Sequence, residues 1–156
     1  MGAGKTTLLQ KLKENTEGYF TFDLDEEISR IFNDSVANII TQKGLAYFRE
    51  QEALILGRLL SLRTNKVIAL GGGTVEAPGF WELKDQAKLI YLKVPFETCH
   101  ERIKKDLTRP LALKSKEELK DLYNLRDRLY QRSDLTLDEE KIKGIYSIAS
   151  LVHNLG

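Results

Sequence analysis

Short runs of apolar residues divide the chain and predict its β-strands. Residues 67–70 (VIAL) and 89–92 (LIYL) are continuous hydrophobic runs, a pattern typical of strands that are buried on both faces. An aromatic segment at residues 19–22 and a short segment at residues 135–137 have the composition of two further strands. The sequence therefore predicts strands near residues 19–22, 66–70, 89–92 and 135–137.

Segments with helical spacing separate the predicted strands. Between residues 45 and 62, apolar side chains recur at Phe48, Ala53, Leu56 and Leu59, which is the spacing of one helix face. Because strands that alternate with helices favour a parallel sheet covered on both sides, we expect a single α/β domain over residues 1–156, a three-layer αβα sandwich. The other predicted elements are helices at 6–14, 35–44, 117–132 and 141–153, helix starts near Asp25 and after Pro95, and an exposed loop at 106–114.

The charge and cysteine content exclude several functional classes. The 156 residues include 24 basic and 23 acidic side chains, so there is no basic excess to indicate a nucleic-acid or membrane surface. The single cysteine, Cys99, excludes an internal disulfide framework and a cysteine metal cluster. No apolar run approaches the ~20 residues of a membrane span. We therefore expect a cytoplasmic, monomeric protein whose partners are small molecules.

A glycine-rich segment at the start of the chain carries the strongest chemical signal. Residues 2–7 (GAGKTT) match the second half of the phosphate-binding pattern Gly-x-x-x-x-Gly-Lys-Ser/Thr. Glycines let backbone N–H groups approach phosphate oxygens, and the helix that follows presents its positive end to them. In this pattern Lys5 reaches the β- and γ-phosphates of ATP, and the Thr6 hydroxyl holds Mg²⁺. The predicted ATP-binding residues are Gly2, Ala3, Gly4, Lys5, Thr6 and Thr7.

The phosphate-binding pattern is incomplete at its beginning. Its first glycine would fall two positions before Met1, and no predicted strand precedes the loop. The segment is either a chance match in a disordered terminus or the remainder of a loop whose strand is missing, through truncation or an internal start codon. We interpret it as the latter, and expect a gap at the centre of the sheet, an inactive chain, and recovery when the strand is restored.

A carboxylate for the metal must come from outside the central glycine segment. The apolar run at 67–70 ends in Gly71, Gly72 and Gly73, so it supplies no acid at its end. Asp23, at the end of the aromatic strand, is the natural candidate for Mg²⁺. If the backbone stays extended, Asp25 points to the same side; the alternative is that Asp25 caps the next helix.

Six segments together resemble the shikimate kinase family over almost the full length of the chain. Each of these motifs is short, but their order and their spacing along the sequence agree with that family. The resemblance implies a P-loop kinase that transfers a phosphoryl group from ATP to the 3-hydroxyl of shikimate, with Mg²⁺. The segments are residues 1–7 (MGAGKTT), 22–28 (FDLDEEI), 48–52 (FREQE), 70–73 (LGGG), 109–111 (RPL) and 126–130 (RDRLY).

The resemblance also implies a role for individual residues. Asp25 would bind the acceptor hydroxyls and accept or orient the transferred proton, while Asp23 would act on Mg²⁺ through water. Arg49 and Arg126 would bind the acceptor carboxylate, and Arg109 would close over the phosphates from a lid at residues 106–114. The implied catalytic residues are Lys5, Asp25 and Arg109, and the implied acceptor-binding residues are Asp25, Arg49, Gly71, Gly72, Gly73 and Arg126.

The residue chemistry agrees with these roles and leaves two alternatives open. Guanidinium groups match carboxylates in geometry and charge, and Glu52 lies three residues after Arg49, where it can hold that side chain in place. A glycine triplet at the carboxyl end of a strand lets a ligand contact backbone at the edge where α/β sheets bind ligands. The alternatives are another small-molecule P-loop kinase, such as a gluconate kinase, and an inactive remnant of the fold.

Overall fold

The computed structural model describes residues 2–14, 16, 18–105 and 110–155 of the chain. Helices alternate with four short strands along these residues, and two one-turn 3-10 helices lie at Thr74–Glu76 and Pro110–Leu113. The elements in chain order are α1 (Lys5–Lys13), β1 (Phe20–Asp23), α2 (Leu24–Phe32), α3 (Val36–Lys43), α4 (Leu45–Ser61), β2 (Lys66–Ala69), α5 (Phe80–Lys84), β3 (Ile90–Leu92), α6 (Phe96–Lys105), α7 (Lys116–Tyr130), β4 (Leu135–Leu137), α8 (Glu139–Lys143) and α9 (Ile148–His153).

The four strands form two separate pairs, each of them parallel. Strand β1 pairs with β2 so that Phe20 lies opposite Lys66, and β3 pairs with β4 so that Ile90 lies opposite Leu135. Helices connect the strands within each pair, as parallel pairing requires. The predicted strands and the α/β fold class are therefore confirmed. No strand end differs from its predicted position by more than one residue.

A cavity of about 530 Å³ lies between the two strand pairs. Strands β2 and β3 border it, and α1 contributes Leu8, Leu9 and Leu12 to its wall. No described residue forms a strand between β2 and β3. The gap that the sequence predicted at the centre of the sheet is thus present, and its lining is largely apolar.

Side-chain packing joins the two strand pairs across this gap. One apolar cluster gathers α2, α3, α4 and α5 on the β1–β2 pair, around the fully buried Leu24 and Ile28. A second cluster combines Leu12 of α1 with Val67 of β2 and Ile90 of β3. Helix α1 therefore holds the two halves together through contacts rather than through backbone hydrogen bonds.

The helices depart from the sequence prediction in three places. The single helix expected at residues 141–153 is wrong, since two short helices, α8 and α9, are separated at Gly144. Helix α5 and the turn at Thr74–Glu76 were not predicted, because both are too short to show a period. Part of the loop expected at 106–114 is the 3-10 helix Pro110–Leu113, and residues 106–109 lie outside the described residues.

The helices of the described residues differ in length and composition from a membrane-spanning helix. None of the helices in these ranges combines the length and the apolar character that crossing a bilayer would demand. Helix α4, with 17 residues, has Arg49, Glu52 and Arg58 along its length.

The cavity predicts that an added strand will stabilise the chain. We expect an N-terminal extension of five or six β-branched apolar residues, followed by Gly and one further residue, to raise the melting temperature. Each buried side chain contributes about 1.5–3 kcal/mol, against about 1–2 kcal/mol per residue for ordering the backbone. A net gain of ~2 kcal/mol corresponds to ~4–8 °C in a chain of this length.

The control is an extension of equal length made of Ser, Thr and Asp. Such a segment cannot enter an apolar cavity without burying unpaired polar groups. Thermal melting followed by circular dichroism compares both extended chains with the original. Equal melting temperatures for the two extended chains would contradict the assignment of the cavity as a strand site.

Candidate active site

The loop before α1 holds a backbone that only glycine adopts easily. Gly2 and Gly4 have φ angles of 63° and 85°, in the left-handed region that side chains disfavour. A Cβ on Gly2 would lie 2.7 Å from the carbonyl oxygen of Cys99, and Arg102 donates to the Gly2 carbonyl at 3.1 Å. These contacts fasten the loop against α6, close to the start of α1.

The N-terminus of α1 is open to a ligand of negative charge. Its N-cap residue, Gly4, provides no side-chain hydrogen bond to the first turn, so no capping side chain stands between this helix end and a ligand. Together with Lys5 and the helix dipole, the first N–H groups form a site suited to phosphate. The structure places residues 2–7 in the loop before α1 and in its first turn, and their binding of phosphate stays a prediction.

Thr6 and Asp23 come together beside this helix end. The Thr6 hydroxyl donates to Oδ2 of Asp23 at 3.2 Å, and Asp23 is buried. Magnesium takes one or two carboxylates and keeps several waters, so a hydroxyl and a carboxylate oxygen in contact fit that ion.

The position of Asp25 differs from both readings of the sequence. Helix α2 begins at Leu24, and its cap is Asp23, whose Oδ1 accepts from the backbone N–H of Asp25 at 3.0 Å. The backbone therefore does not stay extended between the two aspartates, and Asp25 is not the cap. Asp25 instead stands in the first turn of α2, where its side chain faces the loop that follows β2.

Asp25 lies in an environment that favours its neutral form. Burial and, to a smaller extent, the charges of Asp23 and Glu52 raise the pKa of this carboxyl, and Lys5 and Arg49 lower it; the net effect is a rise from 3.8 to about 6. A Cβ on Gly71 would lie 3.0 Å from Oδ1 of Asp25. A carboxylate with a raised pKa against bare backbone is suited to accepting a proton from a bound hydroxyl.

Glu52 is a fully buried carboxylate that connects α4 to the glycine segment. Its Oε1 accepts from the Thr74 hydroxyl at 2.7 Å, and its Oε2 pairs with Nη1 of Arg49. Oε1 also comes within 2.9 Å of where a Gly71 Cβ would stand. The expected contact between Glu52 and Arg49 is confirmed, and any side chain at position 71 would collide with it.

Two guanidinium groups converge on Gly73. A Cβ on this glycine would collide with Nη2 of both Arg49 and Arg126. Arg126 binds both oxygens of Glu76, with Nε to Oε1 at 3.0 Å and Nη2 to Oε2 at 3.1 Å. Nη2 of Arg49 lies 3.6 Å from the same Oε2. The absence of a side chain at Gly73 is what allows the two arginines to meet.

Tyr130 fixes the middle of the glycine triplet. Its hydroxyl donates to the carbonyl oxygen of Gly72, and burial raises the pKa of Tyr130 to about 12. The hydroxyl therefore stays protonated and remains a donor at neutral pH. Tyr130 and Arg126 lie one turn apart on α7, so this helix supports both the loop and one of the two guanidinium groups.

The structure thus brings most of the predicted residues into one region and adds three. Asp25, Arg49 and Arg126 surround the glycine triplet, while Arg109 of the predicted lid lies outside the described residues. Sequence reasoning missed Thr74, Glu76 and the contact of Tyr130. A signal existed only for Tyr130, which stands four residues after Arg126 in a recognised motif; the other two follow the triplet in a turn that shows no periodicity.

The chain is similar to known proteins over almost its whole length. The family model described as shikimate kinase matches residues 1–154. The shikimate kinase of Persephonella marina is 33% identical over 141 residues, covering 90% of this chain and 85% of that protein. The corresponding protein of Microcystis aeruginosa is 40% identical over 141 residues, covering 88% and 72%.

Solved structures give the same result for the fold. The shikimate kinase of Acinetobacter baumannii in complex with shikimate superposes with a TM-score of 0.84 at 30% sequence identity, covering 98% of this chain and 88% of that one. A similarity of this extent includes both strand pairs and the helices between them.

The raised pKa of Asp25 predicts a stabilising substitution inside the site. Between about pH 4 and pH 6 the folded chain retains a proton that the unfolded chain has lost, so the contribution of this carboxyl to stability falls as the pH rises through that range. We expect Asp25→Asn to be more stable than the original chain at pH 7.5 by ~1–3 kcal/mol, and nearly equal to it at pH 4.

Urea unfolding at both pH values measures this difference. Asp121→Asn is the matched control, because Asp121 is exposed on α7 and loses the same charge at the surface. A destabilised Asp25→Asn chain at pH 7.5 would show that the ionised carboxylate holds the site together.

Proposed function

Because the chain belongs to the shikimate kinase family, we propose that it transfers the γ-phosphoryl group of ATP to the 3-hydroxyl group of shikimate. Membership makes it an ATP-dependent kinase of shikimate. The assignment of roles to its own residues is the part that we propose, on the basis of their arrangement around the glycine triplet.

The observation that carries the proposal is the difference between the two ends of this triplet. At Gly73 two guanidinium groups converge, and at Gly71 the carboxyl of Asp25 comes close. Gly71 and Gly73 are two positions apart, so their Cα atoms are separated by at most roughly 7 Å. A six-membered ring with a carboxylate at one end and hydroxyls at the other matches both the spacing and the charges, and shikimate is such a molecule.

The nucleotide is expected at the N-terminus of α1. Backbone N–H groups of the loop and Lys5 would bind the phosphates, and Lys5 is close enough to Asp25 to lower the pKa of that carboxyl. Thr6 and Asp23 would hold Mg²⁺, Asp23 through water. The ion, when bound, neutralises charge on the phosphate oxygens. These placements put the transferred phosphoryl group on the same side as Asp25.

Asp25 would receive the proton of the acceptor hydroxyl. In its ionised form the carboxylate accepts a hydrogen bond from that hydroxyl and orients its oxygen toward the phosphorus atom. Neighbouring negative charges, from Asp23 and Glu52, raise its proton affinity. Since phosphoryl transfer depends mainly on positioning and on charge stabilisation, the residues around Asp25 contribute chiefly by holding it against Gly71.

The two alternatives that the sequence left open are a gluconate kinase and an inactive remnant of the fold, and an experiment can test both against shikimate phosphorylation. A gluconate kinase would also require a carboxylate site and a hydroxyl site, but the family model and the relatives favour shikimate. An inactive remnant would keep the acceptor residues without turnover. An ADP-release assay with shikimate, gluconate and other hydroxy acids distinguishes the three, because only a shikimate kinase shows turnover that is selective for shikimate.

Removal of either arginine should weaken acceptor binding selectively. In the chain that carries the added strand, we expect Arg49→Ala and Arg126→Ala each to raise the KM for shikimate by ~10- to 150-fold, the equivalent of the ~1.5–3 kcal/mol of a charge-assisted hydrogen bond. The KM for ATP should change little, since both guanidinium groups lie at Gly73, whereas the phosphates are expected at the N-terminus of α1. Arg58→Ala on α4 and Arg128→Ala on α7 are matched controls, because both arginines are exposed on the same helices. Equal losses for ATP and shikimate would refute the carboxylate assignment.

The proton-accepting role predicts an acidic limb in the pH profile. With the pKa of Asp25 at about 6, kcat/KM for shikimate should fall about tenfold per pH unit below that value. The profile is measured at saturating ATP and magnesium, so that only the acceptor side is varied. Asp25→Asn should have very low turnover at every pH. A flat profile between pH 5 and pH 7 would argue against proton transfer to Asp25.

A further inference from the structure

Glu76 occupies an unusual place for a residue on a surface turn. It ends the 3-10 helix Thr74–Glu76, and its carboxylate reaches back to the two arginines beside Gly73. Both oxygens bind Arg126, at 3.0 and 3.1 Å, and Oε2 also lies 3.6 Å from Arg49. The oxygen Oε2 is therefore between two guanidinium groups.

An acceptor carboxylate would need the same guanidinium N–H groups that Glu76 occupies. A guanidinium binds a carboxylate best through two parallel N–H···O bonds, and Glu76 already uses that mode on Arg126. The side chains of Arg49 and Arg126 are only 13% and 9% exposed, so few other directions are open to an incoming anion. Glu76 and the acceptor thus compete for the same donors.

The charges lead to the same conclusion. Arg49 and Arg126 contribute two positive charges, and Glu52 and Glu76 contribute two negative ones. A further carboxylate placed beside Glu76 would meet a like charge at close range, which is strongly unfavourable in a partly buried site. One of the two glutamates must withdraw when the acceptor binds.

Glu76 is the glutamate that is able to withdraw. Glu52 is fully buried and is held by Arg49 and Thr74, whereas the side chain of Glu76 is 27% exposed. Glu76 can rotate into water and keep its charge solvated. Glu52 has no such path, since its removal from Arg49 would leave a buried charge without a partner.

We propose that Glu76 is an internal competitor that occupies the acceptor-carboxylate position of the ligand-free chain and must be displaced on binding. It sets both affinity and selectivity. A ligand with a carboxylate replaces the interactions that Glu76 gives up, whereas a neutral polyol does not and is rejected. The inference rests on the proposed acceptor site, and it concerns a residue outside the recognised motifs.

The test compares ligand binding to the original chain, Glu76→Gln, Glu76→Ala and the control Glu82→Gln by calorimetry at low ionic strength. Glu82 is an exposed glutamate on α5. Without the competing charge, shikimate should bind roughly 10- to 20-fold more tightly to both Glu76 variants, the lower end of the range of a charge-assisted hydrogen bond. The methyl ester of shikimate, which has no carboxylate, should gain little, and Glu82→Gln should behave like the original chain.

Three results would overturn the proposal. Weaker shikimate binding by both Glu76 variants would mean that Glu76 positions Arg126 for the ligand, and unchanged binding would mean that the pair has no influence on the acceptor. An equal gain for shikimate and its ester would also contradict competition between carboxylates. Melting temperatures of the variants verify that each one folds.

A simpler ligand separates this proposal from the proposed function. 1-Cyclohexenecarboxylate carries the carboxylate without the hydroxyls that Asp25 would bind. If no chain binds shikimate while the Glu76 variants bind this compound more tightly, the shikimate assignment fails and the role of Glu76 stands. If shikimate binds and neither ligand gains from the substitutions, the role of Glu76 fails alone.

Discussion

The buried carboxylate of Glu52 constrains the whole acceptor side of the molecule. A charge with no solvent exposure is tolerated only when its oxygens are paired, and here the partners are Arg49 on the same helix and Thr74 after β2. These bonds fix the distance between α4 and the glycine segment. Loss of one partner from such a pair typically destabilises a protein by about 3–5 kcal/mol. The geometry around Asp25 and Arg49 depends on this connection.

The glycine triplet transmits that constraint to the ligand site. Gly71 gives space to Glu52 and Asp25, and Gly73 gives space to Arg49 and Arg126. Three separate elements, α2, α4 and α7, thereby bring charged groups to one short stretch of backbone. The benefit is a site whose shape is set by backbone and whose charges are supplied from helices, so that few of its interactions depend on flexible side chains of the loop itself.

The sequence was informative wherever the decisive interaction was local. Continuous apolar runs predicted two of the strands, and the composition of two short segments predicted the other two. The spacing of Arg49 and Glu52 predicted their contact, because residues three apart lie about one helical turn apart. The sequence left open whether Asp25 caps α2, because two aspartates separated by one residue give nearly the same signal. In the structure the cap is Asp23. Glu76 could not be found, because its pairing with Arg126 joins residues 50 positions apart and leaves no periodic trace.

The separation of the strand pairs has a consequence for how the molecule opens. Backbone hydrogen bonds connect β1 with β2 and β3 with β4, but side chains alone connect the two pairs among the described residues. Contacts between side chains loosen without breaking a ladder, so local opening between the halves requires less free energy than opening of a continuous sheet. Helix α1 contacts both halves, and so does α7, through the bonds of Arg126 to Glu76 and of Tyr130 to Gly72. The helix that presents the phosphate loop is therefore one of these two connections between the halves, and a ligand held at its N-terminus would strengthen that connection.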